Sequence, residues 1–421
     1  MWSVWLRARL LTKGNGTSTV TWLHEKRFSD WEPGVHLITL RGMTWDHSRG
    51  FTPLVATAQV LHDSQPDVEL VWDRRSLWAF GEGALKELAH SYDLLVVDYP
   101  MMGMAADAGL LLALDEHVPP SWLEEQARQS AGPSHGSYQY HGHQWAAAID
   151  AACQVSVSRP DLMSAAGLVL PETLDDVIRL ARDERRVVVP LWPVDILSTF
   201  CTLCANQGEP PYRAGDGSFV KKDIGSHALN QIRSLFNLVP PTCIEMNPPQ
   251  VLSLMAGGDV FLYCPFSLGY SNYSRKGFAK NLLAFHNLPS AGTNGPSGSL
   301  LGGAGLAVSA HTTKRSEALK YLMWVASAEC QSTVYVQSGG QPGNRVGWES
   351  ELANLLTANF FANTLDTLDG ALVRPRHPGF PEFQTSAGGV LREFLLASRT
   401  AAETLAGINR LYANSLGGDR T

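Results

Sequence analysis

The stretch Trp145-Ala146-Ala147-Ala148-Ile149-Asp150 leads to Ser158-Arg159-Pro160-Asp161-Leu162, then Ala166-Gly167-Leu168, then Pro171-Glu172-Thr173-Leu174-Asp175-Asp176. Within it, Val155-Ser156-Val157-Ser158 alternates like a strand and precedes a short helix ending near Gly167. Thr173 then stands where a helix N-cap belongs, with Asp176 three residues on to complete a reciprocal cap. Leu174, Val177, Ile178 and Ala181 follow on one face at helical spacing, and Val187-Val188-Val189-Pro190-Leu191 reads as the next buried strand.

Upstream, Val35-His36-Leu37-Ile38-Thr39-Leu40 alternates like a strand and ends in Arg41-Gly42-Met43-Thr44-Trp45-Asp46-His47. A helix over about 51–64, a strand at Val68-Glu69-Leu70-Val71-Trp72 and a helix over about 83–91 follow. They lead to the apolar run Asp93-Leu94-Leu95-Val96-Val97-Asp98. The order β-α-β-α-β implies an open, largely parallel sheet of the α/β class, whose ligands gather at the carboxyl ends of the strands. Downstream, 316–331 reads as an amphipathic helix with Leu319, Leu322, Met323 and Ala326 on one side. Residues 1–34 carry no strong period and read as an extension of undefined structure.

A chain of 421 residues exceeds the usual size of one domain, so two compact units are expected. A net charge of −7 and the lack of a Lys/Arg stripe argue against a nucleic-acid partner. The 12 Trp and 11 Tyr supply flat faces with polar edges, suited to stacking on sugar rings, although packing in a core is the commoner fate of each. Cys153, Cys201, Cys204, Cys243, Cys264 and Cys330 are too scattered for a disulfide framework, and the Cys201/Cys204 pair reads as packed thiols in a buried helix. His141 and His143 have no third metal ligand at recognisable spacing, so neither metal nor cofactor is implied. Arg7 and Arg9 interrupt the opening apolar run, and no cysteine precedes Cys153. As written the chain reads as cytoplasmic, and as periplasmic or extracellular if an export sequence is missing.

The wording and order of these segments resemble the ABC-importer sugar-binding proteins, the extracellular solute-binding proteins of the maltose-binding type. The likeness runs from about Gly34 to Asn414. It includes Met255-Ala256-Gly257-Gly258-Asp259, the strand Leu301-Gly302-Gly303-Ala304-Gly305-Leu306-Ala307-Val308-Ser309, and the loop Gly339-Gly340-Gln341-Pro342. The resemblance implies a periplasmic-binding-protein-like type II fold: two α/β lobes joined by a hinge, with the ligand cleft between them. Lobe 1 would be 35–146 plus 287–340, lobe 2 would be 147–286 plus 341–415, and 416–421 a tail. It implies a monomer that closes on a small polar ligand, a carbohydrate or sugar derivative, with an ABC-importer membrane component as partner if the chain is exported.

The residues expected to touch that ligand sit at strand ends and hinge segments. Trp45 would stack, Asp46 and Asp98 would accept hydrogen bonds from hydroxyls, and Arg75 would offer a bidentate contact. Beside them stand His47, Trp145, Asp150 and Trp192. The aromatic loop contributes Tyr263 and Tyr270, glycines 302 and 303 permit close backbone approach, and Gln341 and Arg345 complete a polar rim. Fold alone does not exclude an enzyme, in which Asp46, His47 and Asp98 would do acid-base chemistry on a bound polyol. No nucleophile elbow, phosphate loop or metal cluster supports that alternative.

Overall fold

The computed structural model describes residues 37–76, 82–212, 217–292 and 295–417, together with the backbone of 10–11 and 19–20; at 82–84 it describes the backbone alone. The chain divides by its contacts into Met1–Leu37 and Ile38–Thr421. In the first unit Leu10–Leu11 pairs antiparallel with Thr19–Val20; the rest of the 1–34 extension, and Val35 and His36 of the expected first strand, lie outside the described residues.

Seven strands of the second unit form one mixed sheet. Numbering only the elements that frame the site, β1 is Ile38–Trp45, α1 Ser48–Ser64, β2 Val68–Arg75, α2 Glu82–Ser91 and β3 Leu94–Val97. β4 is Ala147–Ser158, α3 Leu174–Glu184, α4 Pro193–Asn206, β5 Tyr263–Leu268, β6 Ala284–His286, β7 Leu301–Val308 and α5 Arg315–Val325. β1 pairs in parallel with both β2 and β3, as the β-α-β-α-β reading requires. β7 returns antiparallel to β3 and β4, and β4 also pairs antiparallel with β5 and β6. The twelve-residue β4 is buried throughout, and its opposite ends serve different partners. It therefore ties the parallel part of the sheet to the antiparallel part.

Among the expected elements that differ are a strand that runs on and a strand that does not form a ladder. β1 runs on to Trp45 instead of stopping at Leu40, because Gly42 leaves room for a neighbouring ring: a Cβ there would fall on Trp72 of β2. The apparent breaker is a packing concession inside a strand. Val187–Leu191 is buried but pairs only through an isolated bridge of Val187 to Tyr263. Beyond it, Leu191 donates to the carbonyls of Cys243 and Met246, and Pro190 has no N–H to offer a ladder.

Alternation sets the layers. Along β3, Leu94 and Val96 join one buried cluster with Leu40, Leu54, Leu306 and Leu322, while Leu95 and Val97 join the other. Helix α3 starts as expected, with Thr173 and Asp176 capping each other. The helix expected over 316–331 ends at Val325 as α5; Leu319 and Leu322 are buried on it, Met323 is half-buried, and Ala326 is buried just beyond its end. All six cysteines are buried free thiols.

Candidate functional site

The site is built around Arg49, in the first turn of α1. His47 caps that helix, its Nδ1 accepting from the backbone N–H of Arg49 at 3.0 Å. Arg49 is thereby turned inward, where its Nε donates to Asp150 Oδ2 at 2.7 Å, Nη2 donates to Asp150 Oδ1, and Nη1 donates to the carbonyl of Gly269 at 2.8 Å. Burial alone would lower the Arg49 pKa, but the Asp150 charge and hydrogen bonds outweigh it and raise it. The guanidinium also lies over the ring of Tyr270, 4.7 Å from its centroid, and His47 meets the same ring edge-on at 4.9 Å. Gln341 is fully buried beneath them: its amide donates to the carbonyl of Ala151 at 2.7 Å and its oxygen accepts from Ser271 N–H at 3.0 Å. One knot thus joins the start of α1, the crossing strand β4, the end of β5 and the loop at Gln341.

Two titrating groups border the knot. Burial, then the Arg49 charge, lower the His47 pKa to about 4, so the ring is neutral at pH 7. Asp195, in the first turn of α4, is 5% exposed, its Oδ2 has no hydrogen-bond partner, and burial pushes its pKa up to about 8. Burial pushes the Tyr270 phenol up to about 12, with Asp195 among the charges adding to the effect. A neutral carboxyl can both donate and accept, and here its Oδ2 is enclosed with neither role filled.

A second cluster forms at the end of β3. Arg374 is buried and donates to both oxygens of Asp98, at 3.0 and 3.1 Å. Its Nε donates to the Tyr99 hydroxyl at 2.9 Å, and that hydroxyl donates to the carbonyl of Leu301 at 2.9 Å. Beside it opens a cavity of about 620 Å³, lined on one side by residues 127–136 and on the other by Tyr212 and Val373–Arg376. Near the cavity, Gly103 N–H donates to the Arg376 carbonyl at 2.9 Å, and a Cβ at residue 103 would fall on that oxygen. Buried Tyr138 links the clusters, since its phenol is raised by burial first and then by both Asp98 and Asp150.

Of the residues expected from sequence, the structure brings His47, Asp150, Tyr270 and Gln341 into the Arg49 knot. Gly303 supports it: with φ +118 it follows a path closed to other residues, and a Cβ would collide with the Asp150 carbonyl. Gly302 packs against Leu268, to which a Cβ would come within 3.1 Å. Trp45, at the end of the longer β1, is 7% exposed and packed in the core. Tyr263 is fully buried as the first residue of β5 and opposite Ser158, and neither residue joins the Arg49 knot. Asp46 is exposed and pairs with Arg74 at 3.2 Å, and Arg75 lies at the end of β2 in register with Trp45. Half-buried Trp145 donates its ring N–H to the Tyr140 carbonyl at 3.0 Å, and Trp192 caps α4. Arg345 is drawn away to Asp369 and Glu349. The acid-base trio is not assembled: Asp46 and Asp98 are each engaged by an arginine, and the Nδ1 of His47 is used as a helix cap.

Sequence reading missed Arg49, Asp195, Arg374 and Gly103. A faint signal existed for two of them. Arg49 follows the His47 cap by two residues, and Asp195 follows Trp192-Pro193 at a helix start. Nothing local marks Arg374, whose partner Asp98 is 276 residues away.

Among the described residues no group of three or more His, Cys, Asp or Glu is placed to hold a metal, and no helix is long and apolar enough to cross a membrane. No family model matches the sequence, and no curated protein matches it. Solved structures do match in shape. Maltose-bound MalE3 of T. maritima superposes with a TM-score of 0.76 at 16% identity, covering 89% of this chain and 99% of that one. A solute-binding protein of Thermotoga lettingae TMO bound with alpha-D-tagatose gives 0.76 at 16% identity, covering 90% and 100%. One from Agrobacterium radiobacter K84 in complex with ribitol gives 0.73 at 19% identity, covering 90% and 98%. The chain therefore has the two-lobed α/β fold of the maltose-binding type of ABC-importer solute-binding proteins, with its lobes joined through a hinge.

Proposed function

We propose that this protein is a solute-binding protein that closes its inter-lobe cleft on a small polar ligand of the carbohydrate or polyol class. The observation that carries the reading is the cavity of about 620 Å³ beside the Asp98–Arg374 pair, a size that suits a small ligand. With lobe 1 taken as 35–146 plus 287–340 and lobe 2 as 147–286 plus 341–415, its walls come from both lobes. The Gly103–Arg376 hydrogen bond then belongs to the closed arrangement. Ligand contacts to both walls favour closure, as in any two-state hinge. The ligand class follows the maltose, tagatose and ribitol held by the structural neighbours. Where the protein works outside the cytoplasmic membrane, an ABC-importer membrane component is the partner that suits this fold.

The test is a thermal-shift screen of the full chain against sugars, polyols and sugar acids, with mass spectrometry of each hit after incubation. A ligand at a hundredfold excess over its Kd adds about 2.7 kcal/mol to stability and raises the melting temperature. A hit recovered unchanged supports the reading. A hit recovered as a different compound, or no hit in the three classes, overturns it.

A further inference from the structure

The cavity wall carries two guanidinium groups, and only one has a carboxylate. Arg374 is fully committed: Nη2 to Asp98, Nη1 to Gln384 at 2.8 Å and Nε to the Tyr99 hydroxyl. Arg376, two residues on and also lining the cavity, makes no side-chain hydrogen bond or ion pair among the described residues. Its Nε is shut off from solvent without an acceptor. Its place is nonetheless fixed, because its own carbonyl is held by Gly103 N–H. Burial lowers the Arg376 pKa, the mark of a cation partly stripped of water and left without an opposite charge. His135, on the facing wall, is buried, and burial lowers its pKa too, so it adds a neutral polar ring at pH 7. Among the described residues the lining contains no Asp or Glu.

Resting on the solute-binding reading above, we propose that the ligand is a polyhydroxylated acid. Its carboxylate is seated on the unpaired guanidinium of Arg376, and its hydroxyls reach across the cavity between Tyr212 and the facing His135. A planar guanidinium matches a carboxylate in two parallel hydrogen bonds through its terminal nitrogens, so such a ligand supplies the missing charge. A neutral sugar supplies acceptors alone and leaves the half-buried charge uncompensated.

The test is titration calorimetry of the full chain with matched pairs: D-glucuronate against D-glucose, D-galacturonate against D-galactose, and D-gluconate against D-glucitol, with maltose and ribitol as further neutral probes. At least one acid is expected to bind at least tenfold more tightly than its neutral counterpart, with an affinity that falls as salt is raised. Arg376→Gln is expected to abolish that preference and the salt dependence, while Arg376→Lys keeps part of both. The melting temperature of each unliganded variant confirms that it folds. Binding of neutral probes with equal or weaker binding of the acids would overturn the acid proposal and leave the solute-binding reading standing. A preference for acids that survives in Arg376→Gln would also overturn it. No binding of any probe would overturn the acid proposal and count against the carbohydrate reading as well.

Discussion

The guanidinium of Arg49 and the carboxylate of Asp150 form a two-pronged ion pair in which neither side chain is more than 5% exposed, although 101 residues separate them. Arg49 belongs to the helix after the first strand and Asp150 to the strand that crosses between the two parts of the sheet. Gly269 and Gln341 complete the arrangement, so the pair ties the first helix to the crossing strand, the end of β5 and the loop at Gln341. Such a pair contributes less to net stability than to specifying one geometry, because desolvation offsets much of the attraction. Loss of one partner is another matter.

Asp150→Asn or Arg49→Met alone is therefore expected to destabilise the protein by about 3–5 kcal/mol, by leaving a buried charge uncompensated. The double variant Arg49→Met with Asp150→Leu recovers much of that loss. Urea unfolding of the three variants checks the ordering, and a double variant no more stable than either single one would contradict it.

His47 makes stability depend on pH in the acid range. Its folded pKa of about 4 lies below the ordinary imidazole value of 6.5, so the unfolded state binds the proton more tightly. The contribution is present above about pH 6.5 and is lost as pH falls toward 4. His47→Gln should flatten that part of the profile, as read by unfolding midpoints between pH 4 and 7.

Asp195 acts with the opposite sign. Its folded pKa of about 8 is far above the ordinary carboxylate range, so its contribution is full below about pH 4 and is lost as pH rises through 8. Asp195→Asn is expected to gain stability relative to the parent above pH 8 and to have little advantage at pH 4. Because the His47 and Asp195 windows overlap between pH 4 and 6.5, each variant unmasks the slope of the other.

Gly103→Ala separates closure from folding. A Cβ at that position collides with the carbonyl of Arg376, yet residue 103 sits in the short helix Met102–Asp107, where alanine is favoured over glycine. Stability without ligand should hold or rise by up to about 1 kcal/mol, while ligand affinity falls about tenfold or more. Thermal melts and titration of any ligand found in the screen read the two effects independently. Equal loss of both would show that the contact belongs to the fold rather than to closure.

Much of the architecture was legible locally. The cap at Thr173, the apolar run of β3 and most of the buried face of α5 rest on neighbours within a few residues, and the structure reproduces them. The site was legible only in part. His47, Asp150, Tyr270 and Gln341 lie at strand ends or hinge segments, positions that chain order reveals. The core packing of Trp45 was not legible, because it depends on how far β1 runs, and that depends on a ring from β2 packing over Gly42.

By itself, then, the sequence determined the order of strands and helices and where the helices start, since period, caps and turns act over a few residues. Tertiary structure alone decided which polar groups face one another. Arg49 finds Asp150, Arg374 finds Asp98, and Arg376 is left without a carboxylate, through pairings between segments more than a hundred residues apart. The cost of burying a charge is set by what folding brings beside it, and no local pattern records that neighbour.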